Sequence, residues 1–455
     1  MGNNGYGNRN FSALILVEIN SDMKNFHLAL LLLFSLKLFA QDTLLISKAN
    51  VLEQVQKQNL KIKISEQELW SARGQYRQTN GLLLPSVSIS HTGITTTNPL
   101  MAFGSRLNQQ RITTADFNPD LLNDPERIED FATRVEVRQP LLNLDGFSRR
   151  KAAKAQWEAA SFNSERTREY IVLEVEKAYM QLQLAYKTIE VLERARRTVQ
   201  QNLKQAQEQF KQGLLQKSDI LAVEVRAIEI ENQLQSAGSQ LGITSNYVSM
   251  LMNDSSFPIL KPRDSLKLSG VSLTADPVLE DRKDLLAMEA ATRAYKQQYR
   301  ADKMNFLPRL NAFGVYEMHD EDIFQGAASG YLIGAELKWD VLEGTKRFGK
   351  AQASKADYEK SKLELAEYRA NSQVELNKAR RMLQDAQNSL ELTALALEQS
   401  REALRIRTNR YKQGLEKTSD LLAAESQYAQ KELEYYINIF QLNYTWAYLQ
   451  FLTSS

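Results

Sequence analysis

The chain has 455 residues, with 57 Lys and Arg against 55 Asp and Glu, and no cysteine. A formal net charge of +2 offers no strong field for nucleic acid, and the missing thiols exclude disulfides, thiolate metal sites and a lipidated N-terminal cysteine. A charged fraction of 25% with only 9 prolines suits long solvated helices better than a loop-rich enzyme.

Met23-Lys24, the apolar run Phe26 to Phe39 and then Ala40-Gln41-Asp42 read as a signal peptide over 23–40, with 1–22 as an upstream extension. A membrane anchor is the alternative, although the run is short for a spanning helix. No later segment offers the ~18 apolar residues that a spanning helix needs. The first structural repeat covers 41–253. Leu44 to Thr79 carries apolar residues at helical spacing and predicts one helix, stopped by Leu84-Pro85. Val87 and Ile89 alternate with Ser86, Ser88 and Ser90, a strand over about 85–95. Residues 96–130, rich in Asn, Pro, Thr and Asp, read as a long loop. A second strand follows over about 131–140 and closes at Pro140.

From Phe147 to Gln212 the pattern is helical. Its apolar positions between 175 and 210 step by three and four, the coiled-coil period, with Arg196 as the one interruption. Gly213 ends this helix and Ser218-Asp219 starts the return, a capping residue followed by a carboxylate at the positive end of the helix dipole. Residues 254–276 read as a linker. The second repeat, 277–455, has a helix to Phe306, the stop Leu307-Pro308, strands at about 309–318 and 330–340, a long helix to Gln413 and a last helix from Ser419.

The two halves repeat at an offset of 201 residues: Phe210-Lys211-Gln212-Gly213-Leu214 returns as Tyr411-Lys412-Gln413-Gly414-Leu415, and Ser218-Asp219 as Ser419-Asp420. A register held without a gap predicts two copies of one hairpin of long helices. Each copy reads helix, strand, strand, long helix, helix. Four strands cannot seal a barrel, the smallest of which have about eight. Left alone they expose unpaired edges, so in an exported chain they call for partners from other copies. Tyr331 to Trp339 presents an apolar face ending in aromatics roughly 27 Å apart, close to the ~25 Å apolar band of outer-membrane barrels. An amphipathic strand in a soluble sheet is the plainer reading.

Candidate chemistry is sparse. Gly344-Thr345-Lys346-Arg347-Phe348-Gly349-Lys350 approaches a phosphate loop between strand and helix, but Ala351 stands where the magnesium-binding hydroxyl belongs. No parallel strand–helix–strand series surrounds it, and a glycine-eased turn from strand to helix is the favoured reading. His91 and His319 occupy corresponding strand regions, where a metal pair is conceivable and a place along a polar lumen or near the loops is favoured; His27 lies in the signal peptide. No catalytic triad or nucleophile elbow is evident, and no catalytic, cofactor or metal residue is assigned.

The signal peptide, the duplicated element order, the Leu-Pro before a strand and the doubled Gly-Leu-x-x-x-Ser-Asp tip resemble the TolC-type outer-membrane efflux proteins over essentially all of the mature chain. The resemblance is to the non-acylated branch. It implies a mainly α fold with a small β portion: a homotrimer with a twelve-stranded outer-membrane β-barrel continuous with a twelve-helix periplasmic α-barrel. It implies a passive channel of a tripartite efflux or type I secretion system. A periplasmic adaptor would meet the tips at Gly213, Leu214, Ser218, Asp219, Gly414, Leu415, Ser419 and Asp420, and an inner-membrane transporter would supply the energy. Outer-membrane lipid would surround the barrel; neither a cofactor nor nucleic acid is implied. Asp420 matches the position of the acidic ring at the aperture in related channels. Ala423 occupies the place of a second aspartate, so a single ring is expected. Residues 98–125 become a candidate external loop over the barrel mouth. The alternatives are a secreted coiled-coil scaffold without a barrel and, behind it, a P-loop NTP-binding enzyme.

Overall fold

The computed structural model describes residues 43–270 and 280–454. The signal peptide and upstream extension lie outside the described residues, as does part of the linker. In chain order the elements are β1 (Thr43–Ile46), α1 (Lys48–Gln58), α2 (Leu60–Gln78), β2 (Ser86–Thr96), α3 (Pro99–Asn108), α4 (Pro119–Asn123), β3 (Ile128–Leu142), α5 (Leu144–Lys211), α6 (Lys217–Met252), β4 (Ile259–Pro262), α7 (Lys283–Met304), β5 (Arg309–Asp320), β6 (Ala328–Lys338), α8 (Lys346–Lys412) and α9 (Thr418–Thr453). Each half thus carries helix, two strands, a long helix and a returning helix. Among the described residues no helix is long and apolar enough to cross a membrane.

Three expectations are corrected. The single helix from Leu44 to Thr79 is instead a strand and two helices. Asn59 breaks it: its side chain accepts from the Lys61 and Ile62 N–H groups and so caps α2 afresh. The linker read at 254–276 contains β4, which pairs in parallel with β1. The loop read over 96–130 folds into α3, a 3₁₀ turn at Thr114–Phe117 and α4.

The described residues form two compact units, one from 43–55, 178–267 and 395–440, the other from 56–177, 268–270, 280–394 and 441–454. In the first, Val199 and Ala206 of α5, Val223 and Ile230 of α6 and Ala429 of α9 form a buried cluster. Ala195, not Arg196, faces that core, so the apparent interruption of the apolar stripe is a slip of one residue. In the second unit, Leu376, Ala379, Leu383 and Ala386 of α8 pack on Leu442, Leu449 and Leu452 of α9. Burying such side chains contributes roughly 1.5–3 kcal/mol each, which explains why helices of modest intrinsic amphipathicity are held.

The second unit also contains an antiparallel sheet in the order β2-β3-β5-β6. Its register puts Val87 opposite Val137, Ile89 opposite Val135, Val135 opposite Tyr316, and Tyr316 opposite Tyr331. Because cross-strand partners share a face and side chains alternate, these residues form one apolar face together with Ile333 and Leu337. That face is open, Ile333 being 76% exposed and Ile89 72%. The opposite face carries Arg134, Glu136, Arg138 and Glu317, with Arg134 Nη1 2.9 Å from Glu317 Oε1. Neither β2 nor β6 has a second strand partner among the described residues.

Candidate functional site: the helix-hairpin tips

The two hairpin turns share one backbone design. Gly213 and Gly414 sit at φ 74° and 72°, the left-handed region that glycine enters without a side-chain penalty. Leu214 N donates to Gln209 O at 2.9 Å, and Leu415 N to Arg410 O at 3.0 Å. Gly213 N donates to Phe210 O and Gly414 N to Tyr411 O. Each long helix therefore closes with a Schellman-type turn that satisfies its last carbonyls. Leu214 and Leu415 project from the turns, both largely exposed.

The returning helices start one or two residues earlier than the sequence indicates. In α6 the cap position is Gln216, and its N–H donates to the Asp219 carboxylate at 3.0 Å. Asp219 is thus a third-position capping carboxylate, and Ser218 lies inside the first turn, exposed. In α9, Asp420 N and Leu421 N donate to Lys417 O at 3.2 Å. Ser419 is exposed, and Asp420 is half-exposed with Oδ2 3.8 Å from Arg407 Nη1.

Side chains make the two tips different. At the second, Glu416 receives Arg407 Nη1 at 2.7 Å and Arg410 Nε at 2.8 Å. The first tip has Ala206, Gln209 and Leu215 at those three places. This charged clamp escaped sequence reading, although the offset alignment held its signal.

Below the second tip lies Glu425, 2% exposed. Among the described residues neither carboxylate oxygen has a hydrogen bond of good geometry, and Asn202 Nδ2 of α5, which faces it, and Arg226 Nε of α6 are likewise buried without one. Desolvation pushes the Glu425 carboxyl up to about 7, and the Arg226 charge and the Asn202 amide oppose the shift only in part. Its counterpart in the first repeat, Glu224, is half-exposed.

The other candidates resolve by register. His91 pairs with Thr133, whereas His319 pairs with Ala132, the next residue along β3. The two imidazoles therefore leave opposite faces of the sheet and cannot share a metal ion. His91 stacks on Phe324 of the β5–β6 loop with ring centroids 4.6 Å apart, on the apolar face, in keeping with a place near the loops. His319 Nδ1 is 3.2 Å from Asp130 on the charged face. Among the described residues no cluster of His, Cys, Asp and Glu could hold a metal ion. In the phosphate-loop near-match, Gly344 turns at φ 58°, and Arg347 and Lys350 pair with carboxylates. Arg347 Nε is 3.1 Å from Glu343, and Lys350 Nζ is 3.3 Å from buried Asp302. The turn from sheet to helix accounts for this segment.

The family model for outer membrane efflux proteins matches residues 51–253 and 275–451. No curated protein matches the chain. Among solved structures, a membrane protein from Pseudomonas aeruginosa superposes with a TM-score of 0.78 at 16% identity, covering 90% of this chain and 93% of that one. The CmeC outer membrane channel of Campylobacter jejuni gives 0.77 at 15% identity, with 89% and 85% covered. The open state of the Neisseria gonorrhoeae MtrE outer membrane channel gives 0.74 at 15%, with 89% and 88% covered. Identities this low establish a shared fold, and the family match spans both repeats: the chain belongs to the outer membrane efflux proteins.

Proposed function

We propose that three copies of this chain form a passive duct through the outer membrane and the periplasm. It exports solutes handed over by a periplasmic adaptor and an inner-membrane transporter. The observation that carries this reading is the four-stranded sheet, with one exposed apolar face, one charged face and two unpaired edges. In water such a sheet is an aggregation hazard. With its edges joined to those of other copies it becomes a closed wall, apolar toward lipid and charged toward an aqueous lumen. Three copies supply twelve strands, enough for closure. A coiled-coil scaffold has no use for this sheet.

The hairpin tips are the periplasmic end. Their exposed Leu214 and Leu415, set on glycine turns, form the adaptor contact together with Gly213, Ser218, Asp219, Gly414 and Ser419. Asp420 forms the aperture ring. Three like charges near an axis repel, and Arg407 offsets part of that repulsion. Adaptor docking competes for these contacts and shifts the population toward an open end. The chain performs no catalysis in this reading, and selection of the solute rests with the transporter.

The test is direct. The purified protein should sediment with the outer membrane, migrate as a heat-modifiable trimer, and conduct ions in a planar bilayer. A stable monomer that stays soluble without detergent refutes the proposal.

A further inference from the structure

Residues 97–127 join β2 to β3, whereas the equivalent connection in the second repeat, 321–327 between β5 and β6, is a short hairpin. Antiparallel neighbours need as few as about two linking residues, so topology does not require the longer segment. It is nevertheless well built. The Asn98 side chain accepts the Met101 N–H at 3.2 Å and Pro99 opens α3. Gln110, at φ 61°, ends it. Thr113 donates to Asp116 at 2.7 Å, Arg106 pairs with the same aspartate, and Asn118-Pro119 starts α4.

The side of the sheet over which it folds can be read from its anchor. Ala102, Ser105 and Gln109 form the buried stripe of α3. The Gln109 amide donates to Glu129 O at 2.8 Å, Asp130 Oδ1 at 3.0 Å and Asp320 O at 3.3 Å. Asp130 alternates in phase with Arg134 and Glu136, on the charged face, and is joined there by His319. Arg111 makes a second tie, to Glu321 of the β5–β6 hairpin. The segment therefore folds over the charged face, which becomes the interior when the sheet edges close. It exposes Leu100, Met101, Leu107, Phe117 and Leu121, with Leu100 82% exposed, and helical spacing puts Leu100 and Leu107 on the side of α3 opposite Ala102 and Ser105. An inward-folded segment at the mouth of a three-fold barrel has its own equivalents from the other two copies across from it. Those are the apolar surfaces that cover it.

We infer that residues 99–123 are an external plug: the apolar faces of three copies meet at the axis and close the outer mouth. The Gln109–Asp130–His319 and Arg111–Glu321 contacts are the latch that keeps each copy folded inward. The inference rests on the trimeric barrel proposed above.

The natural absence of cysteine makes the test clean. Leu107→Cys and, separately, Met101→Cys are oxidised in outer-membrane vesicles and run on non-reducing gels. The expected result is loss of most of the monomer band to disulfide-linked dimers for at least one of them. Phe324→Cys, on the opposite face of the sheet, stays monomeric. Replacing 99–123 by a short Gly-Ser bridge should raise single-channel conductance severalfold, and Arg111→Glu should raise it in the same direction. Trimers by light scattering with no cross-link at 101 or 107 and unchanged conductance overturn the plug and leave the duct intact. That outcome would assign the apolar face to lipid or an external partner. A monomeric mass overturns both.

Discussion

Replacing Glu425 by Gln removes one titrating group without changing side-chain shape. The native carboxyl titrates at about 7 in the folded chain against a reference of 4.5, because burial disfavours its charge. Below both values the folded and unfolded states bind the same proton, and the site costs nothing. As pH rises from 4.5 towards 7, the unfolded chain releases the proton while the folded chain retains it, so stability falls. Above 7 the penalty is complete, at about 3 kcal/mol from the ~1.4 kcal/mol per pKa unit that linkage gives. Urea unfolding of the helical circular dichroism signal in detergent should show the native chain losing stability between about pH 5 and about pH 8 relative to Glu425→Gln, with the amide variant the more stable at the upper end. Arg226→Gln should enlarge the native loss and carry it to higher pH, because it removes the charge that favours the carboxylate. Identical pH profiles for the native chain and Glu425→Gln would refute the reasoning.

At the aperture, Asp420→Ala should raise single-channel conductance in a planar bilayer and weaken cation preference; no change in either would remove Asp420 from the constriction. Gly414→Trp and Gly213→Trp place a side chain at a left-handed φ, a strain of about 1–2 kcal/mol confined to the turn. Both should block export while leaving the trimer mass unchanged, and normal export by both would contradict an adaptor contact there. Asp145, at the start of α5, accepts Arg309 Nε at 3.0 Å and Nη2 at 2.8 Å and is itself buried. Arg309→Ala leaves that carboxylate only the more distant Arg149, 3.4 Å away, and should destabilise the fold by roughly 2 kcal/mol, read as a lower midpoint of urea unfolding. The double variant Arg309→Ala/Asp145→Ala should recover part of the loss.

The long helices and four sheet strands were legible because each carries its periodicity within one continuous segment. Tyr331, Ile333 and Leu337 alternate with polar or small neighbours, and the three-and-four spacing of Val175, Ala178 and Leu182 needs no partner to be seen. β1 and β4 were not legible, for a physical reason. Each is too short to show alternation, and each exists only because a distant partner, β1 at the start of the first repeat and β4 just beyond its end, pairs with it. α3 and α4 were hidden by polar composition, although Asn98-Pro99 and Asn118-Pro119 are cap-and-start signals in themselves. The tip glycines declared their conformation, since a helix closing onto a tight return requires positive φ. The burial of Glu425 did not declare itself, because three helices meeting around one side chain is a property of packing alone. The two histidines show how a one-residue offset in strand register decides chemistry: corresponding regions of the repeat held them, yet they point to opposite faces.

The two tips carry a further consequence of duplication. Their backbones use the same glycine, the same pair of closing hydrogen bonds and the same third-position aspartate, so backbone geometry cannot distinguish them. What differs is charge. Ala206, Gln209 and Leu215 leave the first tip without the clamp that Arg407, Arg410 and Glu416 form at the second. The buried carboxylate lies under the second tip, while its counterpart under the first is half-exposed. Pairs among partly exposed groups are worth little each, on the order of 0–1 kcal/mol, and weaken with salt. The second tip therefore holds more of its shape by ion pairs that salt weakens, whereas the first relies on the Asp219 cap and the Glu208–Lys211 pair.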